Sequence, residues 1–309
     1  MNRAKRTKQL YSFFKKEANN KLLNLIIEKS DKDFKNYIVP LVNNYCPEIK
    51  ETAFYTKLKL GSTSVYGLGA YIMMFISGKK YNTHRYFLKI FNLNEKYFLK
   101  ALTLISLPKK IRKQIMYASA FNVIIDHIFD SELKNHPPAK RAKLIKKALN
   151  LESKESSLLS LLSYLASKLN KKKVKYFKKW CDAEVRSIAS KKSLREYGVK
   201  ASMNLLHSTI NNCVSKKNIQ LMYDVGYLVQ MIDDYIDLED DIKEDKITPV
   251  IEKKWDYQTI IEQYNKCEKS LSRIARENNI SEKIIKLLES NLMAIAYNLV
   301  DKMANKIAN

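Results

Sequence analysis

A helix with no polar face runs into a block of carboxylates between Val225 and Asp245, and few folds accept that combination. Val225, Tyr227, Leu228, Val229, Met231 and Ile232 are apolar on every side of a helix, so the helix belongs in the interior until the carboxylates begin. The thirteen positions from Asp233 to Asp245 then hold eight of the chain's 32 acidic residues, in a protein of formal net charge +24. In helical phase Asp233, Asp237 and Asp241 recur every four residues and form one stripe roughly 12 Å long. Like charges stacked in this way repel unless a cation lies between them. Hard carboxylate oxygens suit Mg²⁺, which takes one or two carboxylates and fills its sphere with water and phosphate oxygens. An acidic run is ordinarily a solvated helix face; here the apolar approach puts it at the mouth of a cavity.

A second segment repeats the design. Phe121-Asn122-Val123-Ile124-Ile125 runs into Asp126-His127-Ile128-Phe129-Asp130, with Asp126 and Asp130 on one face at i, i+4 and 107 residues ahead of Asp233. Two apolar helices ending in carboxylates can face each other across one cavity and hold a metal-bound diphosphate between them.

These residues resemble the class I isoprenoid synthase superfamily. Asp126-His127-x-x-Asp130 is similar to its first aspartate-rich motif, with His127 where the second aspartate stands. Gly226-x-x-x-Gln230-x-x-Asp233-Asp234-x-x-Asp237 resembles the second motif of trans-prenyl diphosphate synthases, and Lys246-Ile247-Thr248-Pro249 their Lys-x-Thr-x-Pro ending. The run from Asp233 to Asp241 is closer still to the second acidic motif of the large terpene synthases related to tetraprenyl-β-curcumene synthase. The resemblance implies metal ligands at Asp126, Asp130, Asp233, Asp234, Asp237 and Asp241, with Asp126, Asp130, Asp233 and Asp237 essential for catalysis. It implies Mg²⁺, three ions by analogy, with Mn²⁺ as a substitute. His127 is read two ways, as the replaced motif residue or as a polar residue of the core.

The same resemblance supplies candidates for binding the substrate diphosphate. Lys200, in Tyr197-Gly198-Val199-Lys200, is similar to the Tyr-x-x-Lys segment of prenyl synthases, and Arg186, 47 residues before Asp233, stands near the spacing of the diphosphate-sensing arginine of bacterial terpene synthases. Gln230 and Lys246 complete the set. With 56 basic residues in the chain, proximity of any one to a motif is weak grounds. Chain-elongating synthases also carry a Gly-Gly-Lys-Arg segment and an Arg-Arg pair after the first motif. Here Asp130 is followed by Ser-Glu-Leu-Lys-Asn-His-Pro-Pro. The expectation is a terpene synthase acting on one prenyl diphosphate of C15 or longer; a chain-elongating or head-to-head prenyltransferase and a non-catalytic prenyl-diphosphate-binding subunit are the alternatives.

Fold class follows from punctuation. Six Gly and six Pro in 309 residues leave long helices with few turns, so the expectation is all-α with residues 1–309 as one domain, and the resemblance implies a class I isoprenoid synthase helical bundle around a central cavity. Periodicity predicts helices at 8–28, 32–45, 49–59, 62–77, 83–92, 95–105, 108–132, 138–149, 154–169, 172–190, 194–214, 217–243, 256–277 and 281–306. The Gly-rich stretch 61–77 fits a cavity wall or helix packing through glycine. Four scattered cysteines suggest neither a disulfide framework nor a zinc site and point to a reducing cytoplasm. A balance of +24 usually suggests nucleic acid, but the basic residues are spread along the chain and carry no recognition motif, so no nucleic-acid partner is expected. A basic surface also attracts prenyl diphosphate and anionic membranes. Residues 1–30 read either as a packed N-terminal helix or as a membrane-surface helix giving peripheral association. A homodimer is compatible with all of this.

Overall fold

Proline and capping residues place the helix boundaries of this protein. The computed structural model describes residues 2–14, 21–63, 108–151, 155–186, 191–210, 218–243, 248–277 and 279–304, with backbone alone for 21–26, 183–186, 191–194 and 302–304. Asn2 opens α1 (Arg3–Phe13) by accepting the Lys5 amide at 3.0 Å. α2 (Lys21–Tyr37) gives way to α3 (Val39–Tyr45), whose first turn holds Pro40, and a 3₁₀ turn at Pro47–Glu51 leads into α4 (Ala53–Leu60). After Pro108 come α5 (Lys109–His127) and one π-helical turn (Ile128–Glu132). α6 (Pro138–Leu149), α7 (Ser157–Lys168), α8 (Lys171–Arg186) and α9 (Lys191–Ile210) follow. α10 (Ile219–Ile236), the short α11 (Leu238–Lys243), α12 (Tyr257–Glu277) and α13 (Glu282–Ala304) complete the order. Ser156 caps α7 through the Leu159 amide, and Asp256 and Thr259 exchange hydrogen bonds at the start of α12. No strand occurs among the described residues, so the all-α class holds.

α5 is the axial helix. Every residue from Ile115 to Ile125 is buried, which a helix achieves only when neighbours surround it. α2, α4, α7 and α9 pack around it. α10 is enclosed by α1, α9, α12 and α13, so α9 is the wall shared by the two helices that carry the acidic motifs. The ends of the chain meet here: Tyr11 donates to Asp301 at 2.9 Å, and Phe13 and Phe14 meet Tyr264 edge to face. α1 is therefore a packed helix, with Leu10 and Phe14 fully buried.

Three predicted boundaries are corrected. The break expected between 28 and 32 falls inside α2, which runs on from Lys21 to Tyr37. The helix expected at 8–28 starts at Arg3 and stops at Phe13, because Phe14 turns extended (φ −77°, ψ 107°) to bury its ring. The helix expected at 217–243 is broken at Asp237, whose ψ of 7° separates α10 from α11. The helices expected at 62–77, 83–92 and 95–105 lie outside the described residues beyond position 63. No described helix is long and apolar enough to cross a membrane.

Candidate functional site

Glycine sets the first contact. Gly61, ending α4, lies so close to α5 that a Cβ there would fall 2.6 Å from Val123 Cγ2. The helices run antiparallel across this point, so one turn back from Gly61 meets about one turn forward from Val123. That register brings Lys57 Nζ to 3.4 Å from Asp126 Oδ2. Both side chains are about half exposed, at the rim of the packed interior.

The same construction recurs between α9 and α10. A Cβ on Gly226 would lie 2.8 Å from Val199 Cγ1, so the glycine of the second motif serves close helix approach. One turn back from Val199 is Arg195; one and two turns on from Gly226 are Gln230 and Asp234. Arg195 grips Asp234 with two prongs, Nη2 to Oδ1 at 3.1 Å and Nε to Oδ2 at 3.3 Å, and Gln230 Nε2 donates to Oδ1 at 2.9 Å. Asp234 is 2% exposed and its oxygens are committed to these donors.

Electrostatics join the two halves. Burial disfavours charge on Lys57, but Asp126, Asp233 and Asp130 more than reverse this and lift its pKa above the ordinary lysine value. Burial likewise opposes the Arg195 charge, and Asp234, Asp130, Asp126 and Asp233 overcome it and raise its pKa. Carboxylates of α5 and α10, far apart in sequence, thus act on the same two cations. Asp126, Asp130 and Asp233 act on both cations, and Asp234 on Arg195. Burial first, then Asp233 and Asp241, pushes the Asp234 carboxyl up to about 6 although Arg195 and Gln230 pull the other way.

The distal half of the second motif is arranged differently from the sequence expectation. Asp237 sits at the break after α10 and meets Arg3 Nη2 at 3.0 Å, while Arg3 Nη1 reaches Asp240 at 2.8 Å. The Arg3 amide donates to Glu239 Oε1 at 3.2 Å, and Arg6, 1% exposed, donates to the Ile236 carbonyl at 3.4 Å. Glu239, off the predicted stripe, is therefore engaged rather than idle. Asp241 is buried, and its amide donates to the Asp237 carbonyl at 2.9 Å.

Other candidates stand apart from this cluster. His127 stacks on Phe54 with ring centroids 3.7 Å apart and planes 10° off parallel, and burial followed by the Lys57 charge lowers its pKa, which fits the core-packing reading. Lys200 is exposed and lies about 140° around α9 from Arg195, so the helix turns it away from the face that meets Asp234. The Arg186 side chain and all of Lys246 lie outside the described residues. Lys57 and Arg195 are what sequence reasoning missed. Each lies four residues before the point where a glycine-marked helix contact occurs, but that signal exists only once partner helices are known. Asn122, one turn before Asp126, is 2% exposed with neither side-chain polar atom hydrogen-bonded.

Donor chemistry decides whether Mg²⁺ suits these residues. Hard oxygens at Asp126, Asp130 and Asp233, from two walls sharing one field, fit a divalent ion. Asp234 fits it poorly in this arrangement, because Arg195 and Gln230 already occupy both of its oxygens, and Oδ1 of Asp237 faces an Arg3 nitrogen at 3.0 Å. Among the described residues no three carboxylate, histidine or cysteine side chains converge closely enough to hold a metal ion as they stand. Compared with models of protein families, with curated proteins and with solved structures, the chain shows no match in any of the three.

Proposed function

We propose that this protein ionises a single prenyl diphosphate, C15 or longer, in the manner of a class I terpene synthase. The observation that carries the reading is that Lys57 lies 3.4 Å from Asp126 and Arg195 grips Asp234, while Asp126, Asp130 and Asp233 act on both of these cations. A diphosphate is repelled by carboxylates alone, so a site built to receive it needs fixed positive charge beside them.

Arg195 is the oriented donor. Asp234, itself steadied by Gln230, holds the group from one side, and a planar guanidinium presents its remaining N–H bonds to phosphate oxygens. Lys57 is the mobile donor, half exposed and held by one 3.4 Å contact, free to transfer its ammonium from Asp126 to a phosphate oxygen. Mg²⁺ at Asp126, Asp130 and Asp233 would supply Lewis-acid charge for the departing diphosphate. The allylic C–O bond breaks with its electron pair leaving on oxygen, and the negative charge that develops meets donors already in place. The allylic cation then loses a proton or closes a ring, away from water. Ile124, Ile125 and Ile128 of the first segment and Leu228, Met231 and Ile232 of the second, all buried, are the apolar neighbours of the carboxylates along their helices, as a step kept from water requires.

A binding-only reading is favoured by one observation, the commitment of Asp234 and Asp237 to arginines. The same experiment separates the two. Incubation with prenyl diphosphates of increasing length and Mg²⁺, with and without isopentenyl diphosphate, should give a hydrocarbon or alcohol and pyrophosphate from the single substrate. EDTA should abolish turnover, and Mg²⁺ or Mn²⁺ should restore it. Intact substrate recovered in complex would establish binding alone, and a longer diphosphate formed only with isopentenyl diphosphate would establish elongation.

A further inference from the structure

We propose that Arg3 is a built-in counter-cation for the second acidic segment, a positioning residue that keeps Asp237 from a divalent ion until the first turn of α1 releases it. The inference rests on the metal reading given above.

Arg3 makes three contacts with three consecutive acidic positions of the α10–α11 break: Nη2 to Asp237 Oδ1 at 3.0 Å, the amide to Glu239 Oε1 at 3.2 Å, and Nη1 to Asp240 Oδ2 at 2.8 Å. A carboxylate oxygen that ligates Mg²⁺ does so at about 2.1 Å. A guanidinium nitrogen 3.0 Å from Asp237 Oδ1 occupies that approach, and two cations within so short a distance of one oxygen repel each other. The guanidinium and the ion therefore compete for Oδ1 of Asp237.

The placement of charge in α1 argues that it serves this partner and not the helix itself. The first turn holds no acidic residue, and Arg3, Lys5 and Arg6 stand at the N-terminal end, where the helix dipole disfavours cations. The acidic segment offsets that disfavour. Arg6 meets the opposite end of the dipole in α10, donating to the Ile236 carbonyl in its last turn.

Anchor and latch are separate. Arg6, Leu10 and Phe14 are almost wholly buried, and Tyr235 donates to Gln9 at 2.7 Å, so the body of α1 is fixed on α10, α12 and α13. Arg3 lies in the first turn, upstream of every one of these anchors, and terminal turns open at the lowest free-energy cost. The latch can swing while the anchor stays.

Mn²⁺ serves as the probe, titrated into the full-length protein without substrate and followed by calorimetry and by the electron paramagnetic resonance of the free ion. Arg3→Gln should bind Mn²⁺ about twofold to fivefold more tightly than the wild type, the range a partly exposed ion pair supplies. Arg3→Lys, which keeps charge without the fork, should fall between them, and Asp237→Asn in the Arg3→Gln background should erase the gain. In the wild type, Mn²⁺ should speed hydrogen exchange at amides 3–6 and leave those of 10–14 unchanged, a measurement that needs no variant to fold. Mn²⁺ bound equally by wild type and Arg3→Gln, or exchange at 3–6 unmoved by Mn²⁺, overturns this proposal alone. No Mn²⁺ bound by any of the proteins overturns it together with the metal reading.

Discussion

On the proposed reading, Lys57 and Arg195 would divide the work of holding a diphosphate by how firmly each is held. Lys57→Met should lower turnover on the order of 10²-fold with little change in melting temperature, because its partner Asp126 is half exposed and tolerates the loss. Arg195→Lys should lower turnover to a similar degree while the fold survives, since a lysine keeps the charge beside Asp234 but loses the two-pronged geometry. Lys200→Ala, on the exposed side of α9, should leave steady-state rates near the wild-type value. Asp234 gives a pH signature. Its folded pKa of about 6 lies above the ordinary 3.8, so the native state holds a proton that the unfolded state has released across that interval. The residue's contribution to stability is thus fully present below about pH 4 and is lost as pH rises through 6. Asp234→Asn mimics the protonated form. Its denaturation midpoint should gain on the wild type between pH 4 and pH 6.5 and stay level above; a constant offset across that range would show that Asp234 does not titrate there.

At the scale of elements, two glycine contacts aim the cations. The α9–α10 approach at Gly226 and the α4–α5 approach at Gly61 leave no room for a methyl group without displacing Val199 or Val123. Gly226→Ala should destabilise the protein by about 1–3 kcal/mol in chemical denaturation. Pairing it with Val199→Ala should recover part of that loss, and a double-mutant cycle with no coupling would remove this contact as the reason for the glycine. The break at Asp237 is the other decisive local feature. The four-residue hydrogen-bond register nevertheless continues through it, from the Asp233 carbonyl to the Asp237 amide and from the Asp237 carbonyl to the Asp241 amide, and at this turn Asp237 meets Arg3. The π-helical turn at Ile128–Glu132, where the Leu133 amide reaches back to the Ile128 carbonyl at 2.9 Å, widens the helix around Asp130 in the first segment. Such turns occur often at functional sites.

The whole molecule joins its two ends around α10, and this makes the N-terminal helix part of the site rather than an appendage. Leu10→Ala should cost about 2–5 kcal/mol of stability, because the side chain is fully buried against the helices that carry the second motif. Had α1 been a membrane-surface helix, the same substitution would leave stability unchanged and weaken binding to anionic vesicles, so unfolding and vesicle sedimentation together decide the point. The all-helical class, the bounds of the helix α5 and the two acidic segments themselves were legible in the sequence. Helical periodicity and proline placement are local, and carboxylates after an apolar run are too costly to bury without a purpose. Which cations face those carboxylates was not legible. Lys57, Arg195 and Arg3 look like any of the 56 basic residues until helix packing gives them neighbours. Spacing along the chain fixes phase within one helix, whereas register between helices depends on close approaches such as Gly61 on Val123 and Gly226 on Val199, and these exist only in the folded molecule.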